Sequence, residues 1–244
     1  MAQARFRFYA ELNDFLPPAR RYAEFACEFL DIATVKDRIE SFGVPHTEVD
    51  LILVNGEPVD FASRVRDGDR VSVYPVFESF DIAPLARLRP EPLRNPRFVL
   101  DTHLGRLAAY LRMMGFDALY QNRCEDGTLA EISRGQRRIL LTRDVGLLKR
   151  SAVTHGYFVR ETDSRRQLEE VTRRFDLTRL AKPFSRCLRC NALLEPVSRE
   201  EVREGLPPRA AARYEGFQRC PGCRRVYWQG AHYDPMCRLL ESAG

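Results

Sequence analysis

Residues 98–118 read FVLDTHLGRLAAYLRMMGFDA. Three apolar residues run into Asp101, and Leu104, Leu107, Ala108, Leu111 and Met114 then recur at helical spacing on one face. Gly115 stands where a helix closes on a left-handed residue, with Phe116 as the contact that folds back. The pattern predicts a short buried strand ending on a carboxylate, then a helix. It returns in RRILLTRDVGLLKR, where Ile139 to Leu141 lead to Asp144. In GYFVRETDS a strand leads to Glu161, Thr162 and Asp163, and Ser164 opens a helix. Between these, DALYQ predicts a strand and EDGTLAEISRGQ a helix that starts near Thr128 and is closed by Gly135. Strands alternating with helices imply a parallel α/β sheet. Asp101, Asp144 and Asp163 then fall at or just beyond strand C-termini, the edge where such sheets bind ligands. Each aspartate equally suits the cap of the next helix.

The first 77 residues follow a different period. RFRFYAEL alternates polar and apolar positions as a half-buried strand does, and Tyr22 to Leu30 supplies its partner. Thr34 with Asp37 makes a capping box for TVKDRIESFG, closed by Gly43. VDLILVNGEPV runs a strand into an Asn-Gly hairpin turn, and RDGDRVSVYPVF gives a turn and a last strand. This ββαβ…β order resembles a β-grasp domain, in particular the ubiquitin-like sulfur carriers of thiamin and molybdopterin synthesis. Those carriers end in a Gly-Gly tail, where this chain reads VYPVFESFD and continues. Thiocarboxylate chemistry is therefore not expected, and a binding or regulatory role is. Residues 78–96 hold Pro84, Pro90, Pro92 and Pro96 without a sustained period and read as a linker.

Charge divides along the same line. The net charge is +5 overall. Residues 1–80 hold 9 Lys and Arg against 14 Asp and Glu, and the remainder holds 30 against 20. A basic remainder rich in Arg suggests a polyanion partner. The acidic first part is expected to bind the basic domain, in competition with that polyanion, or to bind another protein. No apolar run is long enough for a membrane span and there is no signal-peptide pattern, so a cytoplasmic protein is expected.

Carboxylates gathered at one sheet edge raise one another's pKa, a conflict that a divalent cation resolves. Oxygen ligands suit Mg²⁺ or Mn²⁺, and such ions support phosphodiester hydrolysis. Asp126, which precedes a helix, and Asp117, which follows the Gly115 cap, are candidates for a fourth acid, against the alternative of a structural role for either. Arg106, Arg112 and Arg143 are candidates for phosphate contact, against the alternative of solvated surface. FVLDTHLGRLAAYLRMMGFDALY, RRILLTRDVGLL and the downstream cysteine segment together resemble the PIN-like RNase domain named after the C-terminus of the nematode Mut-seven protein. Bacterial members of that family often carry an N-terminal ubiquitin-like domain. The resemblance implies a PIN-like fold over residues 97–180, metal-dependent RNA cleavage, and acidic metal ligands at Asp101, Asp144, Asp163 and Asp126.

Four of the seven cysteines form two C-x-x-C pairs, Cys187 with Cys190 and Cys220 with Cys223, separated by 29 residues. Two such knuckles complete a closed Cys₄ site for a structural Zn²⁺, so residues 181–244 are expected to form a zinc ribbon. Its Arg224, Arg225 and Trp228 are candidates for gripping and stacking RNA, while Trp228 equally suits the ribbon's own packing. The expected class is thus a multidomain chain of α/β and α+β parts: β-grasp, PIN-like parallel sheet and zinc ribbon. Its expected function is a ribonuclease acting on tRNA or another structured RNA. The alternative is a non-catalytic RNA-binding adaptor.

Overall fold

The computed structural model describes residues 2–29, 33–75, 88, 95–203, 206–207, 212–230 and 233–243. The expected linker, 78–96, lies almost wholly outside these. The chain divides into two compact units: Met1–Arg94 with Asp126–Phe158, and Asn95–Glu125 with Val159–Gly244.

In the first unit, strands β1 (Ala2–Phe8), β2 (Phe25–Phe29), β3 (Val49–Val54), β4 (Glu57–Pro58) and β5 (Arg70–Pro75) form a sheet in the order β2-β1-β5-β3-β4. β1 lies parallel to β5, while β2 and β3 pair antiparallel with their neighbours. The alternation read in the sequence is realised along β1: Ala4, Phe6 and Phe8 are buried and Gln3, Arg5 and Arg7 are exposed. Helix α1 (Val35–Ser41) contributes Val35 and Ile39 to the same core, with Ile52, Val71 and Val73. Thr34 and Asp37 form the expected capping box. The Thr34 hydroxyl, then its backbone N–H, hold the Asp37 carboxyl below the ordinary range. Asn55 and Gly56 both take positive φ, as a two-residue hairpin turn with the twist of its strands requires. This is a β-grasp domain.

The same unit contains α3 (Asp126–Gln136), β8 (Ile139–Thr142), α4 (Val145–Leu148) and β9 (Gly156–Phe158). β8 and β9 pair in parallel, and all four residues of β8 are buried, as a strand covered on both faces must be. Helix α3 differs from the sequence expectation. It begins at Asp126 and runs through Gly135 to Gln136, and Arg137 just beyond takes the left-handed conformation at φ 49°. The stop is fixed by a residue pair instead of a glycine: the Arg138 N–H and the Ser133 hydroxyl bond across to each other's residue.

The second unit opens with β6 (Phe98–Leu100), followed by a 3₁₀ turn Thr102–Leu104, α2 (Gly105–Met113) and β7 (Ala118–Tyr120), which lies parallel to β6. This parallel pair is the counterpart in the second unit of the β8–β9 pair in the first. Helix α2 buries Leu107, Ala108 and Leu111, and Leu104 just before it is buried too, so the apolar stripe is the packed face. It ends in a Schellman motif: the Phe116 N–H reaches the Leu111 carbonyl at 2.9 Å and the Gly115 N–H reaches Arg112 at 3.0 Å. Phe116 then meets Phe98 edge to face, with centroids 6.1 Å apart. Helix α5 (Ser164–Arg174) follows, then a three-stranded antiparallel sheet of β10 (Glu195–Val197), β11 (Phe217–Arg219) and β12 (Val226–Trp228). α6 (Arg199–Val202) lies between β10 and β11, and α7 (Tyr233–Ala243) closes the chain.

Gly115 is required twice over. Its φ is +95°, and a Cβ built there would fall on the backbone carbonyl of Lys182. Gly115→Ala is therefore expected to destabilise by about 2–5 kcal/mol, the combined scale of left-handed strain and overpacking. Urea titration checks this; a midpoint unchanged from the parent would contradict it.

Candidate functional site

The four cysteines come together as two matched knuckles. In the first, the Cys190 N–H faces the Cys187 sulfur at 3.5 Å; in the second, the Cys223 N–H faces Cys220 at 3.4 Å. The residue after each pair, Asn191 or Arg224, takes positive φ and returns its N–H to the carbonyl of the first cysteine at 3.0 Å. The Cys187 N–H then meets the Ala192 carbonyl and the Cys220 N–H meets Arg225. The four sulfurs lie within 4.8 Å of one another. Four thiolates at this separation can hold a metal ion. Burial works against the Cys187 thiolate, but the Tyr227 hydroxyl and the N–H groups of Cys190 and Arg189 outweigh it and bring the thiol down to about 6.

The first knuckle is tied to α2 and β7. Arg112 donates from Nε to the Ala118 carbonyl at 2.8 Å and from Nη1 to the carbonyls of Leu188 and Arg189 at 3.0 and 2.9 Å. Asn191 accepts the Ala118 N–H at 3.0 Å and donates to Asp117 at 2.7 Å. Arg186 bonds the Gly115 and Asn191 carbonyls. This corrects the reading of Arg112 as a phosphate ligand. The side chain is 5% exposed and its guanidinium neutralises the carbonyl ends of a knuckle. Asp117 likewise serves the knuckle's asparagine. Neither role was readable from helical position, because both partners lie in the ribbon.

The four aspartates each stand at a helix or turn start. Asp101 directly follows β6, is 8% exposed, and accepts the Thr102 N–H and hydroxyl through Oδ1. The Tyr120 hydroxyl donates to the Thr102 carbonyl at 2.9 Å, steadying this corner. Gly105 leaves the space for that ring, since a Cβ there would lie 2.7 Å from Tyr120 Cζ. Asp144 lies two residues beyond Thr142, the last of β8. Its N–H donates to the buried Thr142 hydroxyl, and Oδ1 caps α4 through the N–H groups of Gly146 and Leu147. Asp163 is further out, separated from Phe158 by Val159 to Thr162, and is exposed. It caps α5, and the N–H groups of Arg166 and Arg165 hold its carboxyl below the ordinary range. Asp126 opens α3 and pairs with Arg150 at 3.6 Å.

Among the candidate RNA contacts, Arg106 is exposed on the first turn of α2, and Arg224 and Arg225 are exposed on the second knuckle. Arg143 is half-buried beside Asp144. Trp228 is half-buried against Val202, Leu206 and Phe217, its ring 6.5 Å from that of Phe217. The packing alternative therefore describes most of that side chain. No helix among the described residues is long and apolar enough to cross a membrane.

The chain matches the family model described as Mut7-C RNAse domain over residues 96–240, and that described as Mut7-C ubiquitin over residues 1–81. It is also similar to two crystal structures of small archaeal modifier protein 1 from Haloferax volcanii, at 17% and 16% identity. Each covers 32% of this chain and 100% of its own, with a TM-score of 0.26. No curated protein matches the chain. With an RNase model covering more than half of its residues and a ubiquitin-like model covering its β-grasp part, the chain belongs to the Mut7-C RNAse-domain family.

Proposed function

We propose that this chain is a metal-dependent ribonuclease whose divalent cation, Mg²⁺ or Mn²⁺, is held chiefly by Asp101 and Asp144. The observation that carries this reading is the matched placement of the two acids. Each follows a buried strand, β6 or β8, and each spends Oδ1 on local backbone N–H groups. Those bonds orient the carboxylate, and the several lone pairs of a carboxylate can serve backbone donors and a cation together. Asp163, beyond the end of β9, and Asp126, at the start of α3, would contribute contacts through water, which Mg²⁺ tolerates well. A cation held by these acids would supply activation of the attacking water and charge stabilisation at the leaving oxygen. Arg106 and Arg143 would hold the phosphate, and Arg224 and Arg225 the flanking strand, of tRNA or another structured RNA.

The ion of the cysteine site is zinc in this reading. A donor set of four thiolates leaves no position for water, so its role is structural. The capping bonds of Asp101, Asp144 and Asp163 are also what a non-catalytic RNA-binding adaptor would show, and this is the second reading. Divalent-ion dependence separates the two. Protein freed of loosely held cations, with its cysteine-bound metal retained, should leave RNA intact and regain cleavage on adding Mg²⁺ or Mn²⁺. Tight binding without cleavage under every ion would establish the adaptor.

A further inference from the structure

The first unit contains both the β-grasp domain and the segment that carries Asp144. We propose that the ubiquitin-like domain is a fixed clamp on residues 144–158, which orders α4 and β9 through Glu40, His46 and Glu48 and so sets where Asp144 stands. Its significance for catalysis rests on the ribonuclease reading above.

The clamped segment has little regular structure of its own beyond the pairing of β9 with β8. Helix α4 is four residues long, and one turn of helix does not repay its own nucleation. β9 has three residues. The β-grasp domain holds this stretch at three points. Just after α4, Lys149 Nζ donates to the Glu40 carbonyl at 2.6 Å. Midway, the carbonyl of fully buried Val153 faces His46 Nε2 at 2.9 Å, while His46 Nδ1 faces Glu40 Oε1 at 2.7 Å. At the last residue of β9, the Phe158 N–H donates to Glu48 Oε1 at 2.6 Å. The Phe158 ring also meets Phe15 edge to face, with centroids 5.5 Å apart.

These groups are those of an interior. His46, Thr47 and Glu48 are 9%, 1% and 1% exposed. Glu48 does for β9 what a neighbouring strand would do, taking an N–H that an edge strand otherwise presents outward. The three bonds to the segment run between side chains and specific backbone atoms, which fixes one register. The charge asymmetry suggested only that the acidic domain binds the basic one; these bonds are contacts to named atoms. A carrier or tethered recruiter needs to leave its partner; a buried carboxylate bonded to a strand amide argues against departure, because the polar groups on both sides would have to be matched anew. The domain therefore acts in cis, as a positioning element.

Hydrogen exchange on the full chain tests this without RNA. Glu48→Ala and Lys149→Met should each speed exchange of amides in 145–158 by about tenfold or more, the scale of losing one anchoring bond in a locally opening segment. Amides of β1 and β3 should keep their protection. Unchanged exchange in 145–158, with β1 and β3 still protected, would overturn the clamp. If Glu48→Ala loosens β1 itself, Lys149→Met alone decides, because its side chain lies outside the β-grasp core. Where the parent chain cuts RNA, both variants should lower kcat with little change in RNA affinity; full kcat despite a loosened segment would overturn the positioning of Asp144. A parent chain that cuts no RNA refutes the ribonuclease reading, and the exchange result still decides the clamp.

Discussion

Removing the metal from the four-cysteine site, by chelation or by Cys220→Ser, is expected to unfold the ribbon and to loosen α2 and β7 with it. The ribbon's own core is small: Val202, Leu206 and Phe217, with Val197, Tyr214, Val226 and Trp228 packed around them. A few side chains of that size contribute about 1.5–3 kcal/mol each, most of which ordering the chain consumes. The structural Zn²⁺ proposed above would contribute about 10–16 kcal/mol, enough to decide whether the ribbon folds. The loss then spreads, because the knuckle is bonded into the rest of its unit. Arg112 would be left buried without the Leu188 and Arg189 carbonyls, and the Ala118 N–H without Asn191. Each orphaned buried group costs about 1–3 kcal/mol, and more where it is charged. A fall in Tm of about 10 °C or more is expected for a domain of this size. The accompanying sign is faster exchange at the Ala118 amide. A chain stripped of metal that melts unchanged and keeps that amide protected would contradict this assignment.

Much of the fold was legible because its determinants are local. The Thr34–Asp37 box, the Asn55-Gly56 turn and the Gly115–Phe116 closure each depend on residues within a few positions, and each is found as the sequence implies. The acids after β6 and β8 were legible for the same reason, since strand period and following residue are both written nearby. What could not be read is carried by distant partners. Arg112 looked like a surface arginine on the flank of a helical stripe; the carbonyls that bury it lie 76 and 77 residues on. Glu48 and His46 gave no sign of their use, because their partners Phe158 and Val153 are 110 and 107 residues away. The end of α3 was misplaced for a subtler reason. Gly135 has the composition of a stop signal, but the helix runs on to Gln136, where the Ser133–Arg138 bonds and left-handed Arg137 close it. Glycine permits a helix to end, and tertiary partners decide whether it does.

Asp101→Asn and Asp144→Asn are expected to remove most RNA cleavage while leaving the fold in place. Asparagine keeps a side-chain oxygen that can accept the N–H groups now bonded to Oδ1, so the caps of the 3₁₀ turn and of α4 survive at a cost of about 1 kcal/mol or less. The substitution takes away one negative charge and one cation-binding oxygen at each site. Losing several kcal/mol of transition-state stabilisation of this kind corresponds to a fall of about 10²–10³-fold in kcat, at roughly tenfold per 1.4 kcal/mol. RNA affinity should hold or rise slightly, because a carboxylate near phosphate repels it. The decisive measurement is cleavage of structured RNA in Mg²⁺ or Mn²⁺ by the parent chain, Asp101→Asn and Asp144→Asn side by side, with equal metal content at the cysteines. Cutting by the parent alone is expected, with RNA still bound by both variants. Cutting that persists in both folded variants would place the chemistry elsewhere and contradict it.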